Sequence, residues 1–166
     1  MYTRIFLRLE PLGLEIVAGT ARAAGHEVEL IDLQVESQAD YFRRIRSFKP
    51  EAVAFSCNYL ANVPEIIDLA KATKAELKNC FVFVGGHSSS FTAPDLLEHG
   101  EGALDCVLKG EGEAVIAELL EAVEHDRNAV VTVPGAVTAD GEAKLSDFGI
   151  AVVVEGSTDV MACHIA

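Results

Sequence analysis

Short runs of β-branched and aromatic residues alternate along the chain with longer stretches in which apolar residues recur at helical spacing. Arg4-Ile5-Phe6-Leu7-Arg8-Leu9 reads as a first strand and stops at Glu10-Pro11, because proline has no N–H for a ladder. Leu12, Ile16, Val17, Thr20 and Ala21 then mark one face of a helix that Gly25 closes. Glu27 to Leu33 alternates before turning apolar, as an outer strand does, and Tyr41, Phe42, Ile45 and Phe48 stripe a second helix ended by Pro50. Ala52-Val53-Ala54-Phe55-Ser56-Cys57 is nearly unbroken apolar sequence, the signature of a strand covered on both faces. The spacing predicts a helix from Val63 to about Leu77, capped by Asn62 with Pro64 in its first turn. Phe81-Val82-Phe83-Val84 follows as a buried strand opening onto Gly85-Gly86-His87-Ser88-Ser89-Ser90. A short helix over Ala93–His99, a strand over Leu104–Leu108 and an amphipathic helix from Ala114 to about Glu124 complete the repeat.

Repeated strand-to-helix units with short connections specify parallel strands joined by right-handed crossovers. The expected fold is therefore a flavodoxin-like (Rossmann-like) three-layer α/β sandwich on a five-stranded parallel sheet, with the runs at 52–57 and 81–84 central. Ligands of such sheets sit at the carboxyl ends of the strands, the edge that here gathers the turns around Pro11, Asn58, Gly86 and Gly110. Residues 1–127 form the main domain in this scheme. Residues 128–166 form a small β extension, with Asp140-Gly141 as a hairpin turn and Ile150–Val154 as one more strand. The ending Met161–Ala166 has no evident role in it.

With 166 residues, half of them apolar, the chain can bury one good core. Its formal charge of −13 repels phosphate backbones and anionic lipid, which argues against nucleic acid or membrane as a partner. No apolar run is long enough to span a bilayer, and Met1-Tyr2-Thr3-Arg4 does not open a secretory signal, so the expected location is the cytoplasm. Cys57, Cys80, Cys106 and Cys163 lie too far apart in sequence for a compact zinc or iron–sulfur motif. The first three fall in or beside apolar runs and read as small buried hydrophobes.

Several ligand classes fail on their motifs. A dinucleotide site needs GxGxxG at the first turn, where this chain has Glu10-Pro11-Leu12-Gly13-Leu14. There is no P-loop, the first turn lacks the Ser/Thr-rich phosphate loop of a flavodoxin, and Ser56 stands where a phospho-acceptor receiver domain needs aspartate. What remains is a polar Ser56-Cys57-Asn58 turn beside Gly85-Gly86. Glycine there lets a large group lie against backbone, and Ser56, Ser88 and Ser89 offer hydroxyls. The same residues also read as a plain turn followed by a serine-capped helix.

The ordered set Pro11-Leu12-Gly13-Leu14, Ala24-Gly25-His26-Glu27-Val28, Asp32, Lys49-Pro50, Ser56, Val84-Gly85-Gly86-His87, Asp105-Cys106-Val107 and Gly110-Glu111-Gly112-Glu113 resembles the amino-terminal cobalamin-binding domain of B12-dependent radical SAM enzymes. Within that superfamily the chain is most similar to the hopanoid C-3 methylase type. The resemblance spans residues 3 to about 125 and implies a cobalamin held across the carboxyl edge, its nucleotide tail inserted near Ser56 and Gly85-Gly86. It also implies a radical SAM catalytic domain in cis in the parent protein, which would own the iron–sulfur cluster and S-adenosylmethionine. Two departures matter. Glu10-Pro11-Leu12-Gly13 stands in place of the Asp-x-His-x-x-Gly motif, so no histidine of that motif reaches cobalt. The Cys-x-x-x-Cys-x-x-Cys motif is absent, so this chain binds cofactor without cleaving S-adenosylmethionine itself.

On that basis the candidate cofactor-binding residues are Glu10, Pro11, Leu12 and Gly13 in the first turn, and Ser56, Cys57, Asn58, Tyr59 and Leu60 in the second. Gly85, Gly86, His87 and Ser88 form the third group, and Gly110, Glu111, Gly112 and Glu113 the fourth. Tyr59 and Leu60 pack either on the corrin or in the core, and His87 either touches the corrin or begins a helix facing solvent. Glu111 and Glu113 either accept from corrin amides or favour a helix start electrostatically. The competing reading from another class is a cofactor-free flavodoxin-like interaction or regulatory domain, and a flavin-binding electron carrier stands third.

Overall fold

The computed structural model describes residues 11–139, 141–142 and 159–164. The predicted strands Arg4–Leu9 and Ile150–Val154 lie outside those described residues. Helix α1 (Leu12–Ala23) begins immediately after Pro11, whose carbonyl accepts from the Glu15 N–H at 2.9 Å, and it stops at Gly25, where φ is 102°. Strand β1 (Glu27–Asp32) leads to α2 (Gln38–Phe48), which a reciprocal cap fixes in place. There the Asp40 N–H donates to Ser37 Oγ at 3.2 Å and the Ser37 N–H donates to Asp40 Oδ2 at 3.1 Å. Lys49 ends that helix in the left-handed region, and Pro50 prevents continuation.

Strand β2 (Ala52–Ser56) is followed by a single 3-10 turn at Leu60–Asn62 and by α3 (Val63–Glu76). Asn62 makes no side-chain cap there, because the 3-10 turn already supplies the helix entry. Strand β3 (Phe81–Gly85) runs into two helices, α4 (His87–Phe91) and α5 (Ala93–Gly100); sequence spacing had shown only the second. Strand β4 (Cys106–Leu108), helix α6 (Gly112–His125) and the hairpin β5 (Ala136–Thr138) with β6 (Gly141–Glu142) follow. Strand β7 (Asp159–His164) ends the described chain.

These strands form one sheet in the order β1-β7-β2-β3-β4-β5-β6. The expectation of a five-stranded parallel sheet is corrected: the sheet is mixed. Strands β2, β3 and β4 pair in parallel, with Ala52 opposite Phe81 and Phe83 opposite Cys106. Strand β5 pairs antiparallel with β4 on one side and with β6 on the other, Thr138 standing opposite Gly141. Strand β7 lies antiparallel between β1 and β2, Asp159 meeting both Asp32 and Ser56 and Cys163 meeting both Val28 and Ala52. The segment that had no role in the sequence pattern thus occupies the sheet interior. A short apolar run bonded on both sides carries no turn or helix signal to announce its partner, so pattern alone could not place it. The two runs expected to be central, at 52–57 and 81–84, are neighbours deep in the sheet.

Side chains alternate between two cores. On the first face Ile31, Val53, Phe55, Val82, Val84 and Ala162 pack under α2, α3 and α5. On the second face Val28, Ala52, Ala54, Phe81, Phe83, Met161 and Cys163 pack under α1 and α6. The first core holds one polar chain: buried Thr73 donates from Oγ1 to the Leu69 carbonyl at 2.7 Å and lies 2.5 Å from the Tyr41 hydroxyl, which is left to donate to it. At the amino edge of the sheet, Asp105 Oδ2 accepts from the Val82 N–H at 2.6 Å and from Lys74 Nζ at 2.5 Å, tying α3 to the entry of β4. Helices on both faces of one sheet make the three-layer α/β arrangement that the alternation of elements predicts.

All four cysteines are buried and free. Burial pushes the Cys57 thiol up to about 11 and those of Cys80, Cys106 and Cys163 up to about 12. An unfolded thiol ionises near its ordinary value of 9, so between pH 9 and 11 the unfolded chain loses protons that the folded chain keeps. Stability is therefore full below pH 9 and falls above it, by up to about 1.4 kcal/mol per pH unit for each thiol. Urea midpoints measured from pH 7.5 to 10.5 should be flat and then decline, and a Cys106→Ala variant should decline less steeply.

Candidate functional site

Three strand ends are sewn together at the carboxyl edge. The Cys57 N–H donates to the Gly85 carbonyl at 2.7 Å, the Ser88 N–H donates to the Cys57 carbonyl at 3.0 Å, and Ser88 Oγ donates to the Asn58 carbonyl at 2.8 Å. Asn58 uses both ends of its amide: Nδ2 donates to Ser56 Oγ at 3.2 Å, and Oδ1 accepts a long bond from the His87 N–H at 3.4 Å. Ser90 reaches the third turn, its Oγ accepting from the Gly110 N–H at 3.4 Å. The turns after β2, β3 and β4 therefore form one hydrogen-bonded surface.

Gly86 is the pivot of that surface. Its φ is 105°, and a Cβ built on it would lie 2.8 Å from the Cys57 carbonyl oxygen and 3.0 Å from Asn58 Oδ1. Only glycine permits this backbone-to-backbone approach. Gly85 differs: a Cβ there would rest 3.8 Å from the Leu108 carbonyl, an ordinary contact. Gly110 has φ of 84° with open space around it, and Gly112 lets α6 approach Val17 of α1, where a Cβ would be 3.2 Å from Cγ2.

Of the predicted residues, Ser56, Cys57, Asn58, Gly85, Gly86, His87 and Ser88 are brought into this one network, and Gly110 is bonded to it through Ser90. Tyr59 is half-buried, and the Cys57 thiol contacts its carbonyl at 3.5 Å. The serines following Gly86 are not free donors: Ser88 and Ser89 are buried, and the Ser89 and Ser90 hydroxyls donate to the Gly86 carbonyl at 2.8 and 3.2 Å. His87 starts α4 and is exposed, its ring edge-on to Phe91 at 5.2 Å between centroids. Glu111 precedes α6, and Glu113 falls in its first turn, where carboxylates suit the helix dipole. Pro11, Leu12 and Gly13 open α1, with space around Gly13; Glu10 lies outside the described residues.

The edge is also apolar in a way the glycine and serine pattern did not reveal. Leu12, the first residue of α1, is 56 % exposed, Val35 after β1 61 %, Leu60 after β2 62 % and Phe91 at the end of α4 74 %. Val35 and Phe91 were absent from the sequence candidates. An aromatic residue directly following a polar serine run was the available signal for Phe91. Exposed apolar side chains in a domain whose turns also hold the polar Ser56 and Asn58 suit a large amphipathic ligand with greasy faces and amide-rich rims, which is the chemistry of a corrin. Among the described residues no group of His, Cys, Asp and Glu is arranged to hold a metal ion.

The family model described as "B12 binding domain" matches residues 3–120. The chain belongs to the B12-binding domain family. The cofactor of this B12-binding domain is cobalamin, and the carboxyl edge of its sheet offers residues that fit one. It is 61 % identical over 148 residues to the hopanoid C-3 methylase of Methylococcus capsulatus, covering 89 % of this chain and 28 % of that protein. It is 33 % identical over 119 residues to the uncharacterized methyltransferase PH0819 of Pyrococcus horikoshii, covering 70 % of this chain and 25 % of the relative. It is 27 % identical over 121 residues to the anaerobic magnesium-protoporphyrin IX monomethyl ester cyclase of Synechocystis, covering 71 % and 24 %. The chain thus spans about a quarter of the length of these curated relatives. No solved structure matches it. No helix among the described residues is long and apolar enough to cross a membrane.

The two adjacent glycines of this B12-binding domain should respond differently to substitution. Gly86→Ala places a Cβ against the Cys57 carbonyl at a φ that L residues avoid, and should cost about 2–3 kcal/mol of stability. Gly85→Ala should cost less than about 1 kcal/mol, since it meets only ordinary contact within a strand. Thermal melts of both variants check this, and equal destabilisation would contradict the geometry.

Proposed function

We propose that residues 1–127 are the cobalamin-carrying unit of a larger B12-dependent radical SAM methyltransferase. The corrin lies on the carboxyl edge, and its nucleotide tail enters beside Ser56, Gly85 and Gly86. What supports this placement is the exposure of the apolar Leu12, Leu60 and Phe91 together with the hydrogen-bonded polar turns at Ser56–Asn58 and Gly85–Ser88. Exposed large side chains of this kind cost solvation unless a ligand or partner covers them. Bound cobalamin supplies a cobalt that can carry a methyl group, and the protein supplies its position and surroundings.

The chain's own residues have distinct parts in this scheme. Leu12, Leu60 and Phe91 exclude water from the corrin, and Tyr59 extends the same surface. Glu111 and Glu113 accept from its side-chain amides, and the Ser56–Asn58 pair offers a polar contact to the nucleotide tail. Pro11-Leu12-Gly13 meets the corrin without an imidazole, so no histidine of the first turn ligates cobalt. The iron–sulfur cluster and S-adenosylmethionine would belong to a catalytic domain in cis, to which this unit would present its cofactor. The 61 % identity to a hopanoid C-3 methylase supports a hopanoid as methyl acceptor of the parent enzyme.

Hydroxocobalamin or methylcobalamin mixed with the chain and then desalted should leave corrin absorption bands on the protein. Phe91→Asp together with Leu60→Asp should weaken retention at least about tenfold while leaving the far-ultraviolet dichroism unchanged, because both side chains are exposed. Colourless protein with every cobalamin form would leave a cofactor-free regulatory domain instead.

A further inference from the structure

Val133-Pro134-Gly135-Ala136 has the chemistry of a type II turn. Proline presets the first corner, Gly135 takes a φ of 79° at the second, and the Ala136 N–H donates to the Val133 carbonyl at 3.0 Å. Both faces of the sheet anchor the turn, Val133 and Ala136 being buried in the second core and Val137 in the first. Strand β5 carries it alongside β4, with Ala136 opposite Leu108.

This anchored turn presses on the one that follows β4. The Lys109 N–H donates to the Gly135 carbonyl at 2.8 Å, and a Cβ built on Gly135 would overlap the Lys109 carbonyl oxygen. Positive φ and close approach together require glycine there. The β3 side of the same turn is held by Ser90, whose Oγ accepts from the Gly110 N–H at 3.4 Å and donates to the Gly86 carbonyl at 3.2 Å. Two consecutive N–H groups, of Lys109 and Gly110, are therefore bound from opposite sides. The turn so clamped continues into Glu111 and Glu113 at the start of α6. The family match ends at residue 120, so one jaw of the clamp lies outside it. We infer that Gly135 is a positioning residue for the cofactor edge: with Ser90 it fixes the 109–113 turn, and through that turn the carboxylates offered to cobalamin. This inference rests on the cobalamin placement proposed above.

Two measurements test it. In the ligand-free chain, Gly135→Ala should speed amide exchange at Lys109 and Gly110 at least about tenfold, read by NMR, while the amides of β2 and β3 keep their rates. Equilibrium dialysis against hydroxocobalamin should show an affinity loss of at least about fivefold in Gly135→Ala, and less than about twofold when Glu111→Gln and Glu113→Gln are already present. Ser90→Ala should weaken binding in the same way, and Ser90→Thr, which keeps the hydroxyl, should restore it. If Gly135→Ala does not fold, Pro134→Gly carries both measurements, since it frees the turn without adding an atom to the contact. Unchanged exchange at Lys109 and Gly110, or the same affinity loss with and without the two carboxylates, would overturn the positioning role. A parent chain that takes up no hydroxocobalamin would overturn the cofactor reading instead, and the exchange rates, measured without ligand, tell the two failures apart.

Discussion

The carbonyl of Cys57 sets the geometry on which the ligand edge depends. It accepts from the Ser88 N–H while pressed against the Cα of Gly86, and a side chain at that position would meet it at 2.8 Å. Ser88 also bonds the Asn58 carbonyl, and the Gly85 carbonyl receives the Cys57 N–H. These bonds satisfy backbone groups that the end of a parallel ladder leaves without partners, and they hold two turns as one surface. The floor of the site is consequently rigid before any ligand arrives, which reduces the ordering cost of binding.

That rigidity separates two roles that glycine plays here. Gly86 serves the protein's own backbone; its conformation and its contact with Cys57 are complete without a cofactor. Gly85, with only ordinary contact ahead of it, and Gly13 and Gly110, with open space, are the positions where the absence of a side chain leaves room. The serines divide in the same way. Ser88, Ser89 and Ser90 spend their protons on backbone carbonyls, so they build the floor, while Ser56 with Asn58 is the polar pair at the strand end.

Opposite edges of the sheet thus do different work. The amino edge is closed by charge, Lys74 and Asp105 joining α3 to β4, and by Arg127 bonding the Asn79 carbonyl at 2.8 Å while lying over the Phe81 ring. The carboxyl edge keeps Leu12, Val35, Leu60 and Phe91 uncovered. The chain belongs to the B12-binding domain family, and the curated relatives are about three times as long as this chain.

Much of this was legible in the order of residues. Period-two and period-3.6 patterns marked β1 to β4 and their helices, the unbroken apolar runs at 52–57 and 81–84 marked the sheet interior, and Asp140-Gly141 marked the hairpin, because local sterics and one-sided burial write themselves into sequence. The ordered glycines and the Pro11, Ser56 and Gly110 turns likewise carried the family resemblance. Tertiary structure decided the rest. Helix α4, five residues of polar sequence, forms because its serines bond backward to Gly86; the reach of Ser90 to Gly110 and the exposure of Val35 and Phe91 depend on how elements meet in space. Most of all, the six-residue segment at 159–164 found the gap between β1 and β2. Pairing partners in a sheet are set by long-range contacts that any short strand can satisfy, so the sequence by itself marked the locally patterned elements, and only the folded chain decided that 159–164 is a strand and where it lies.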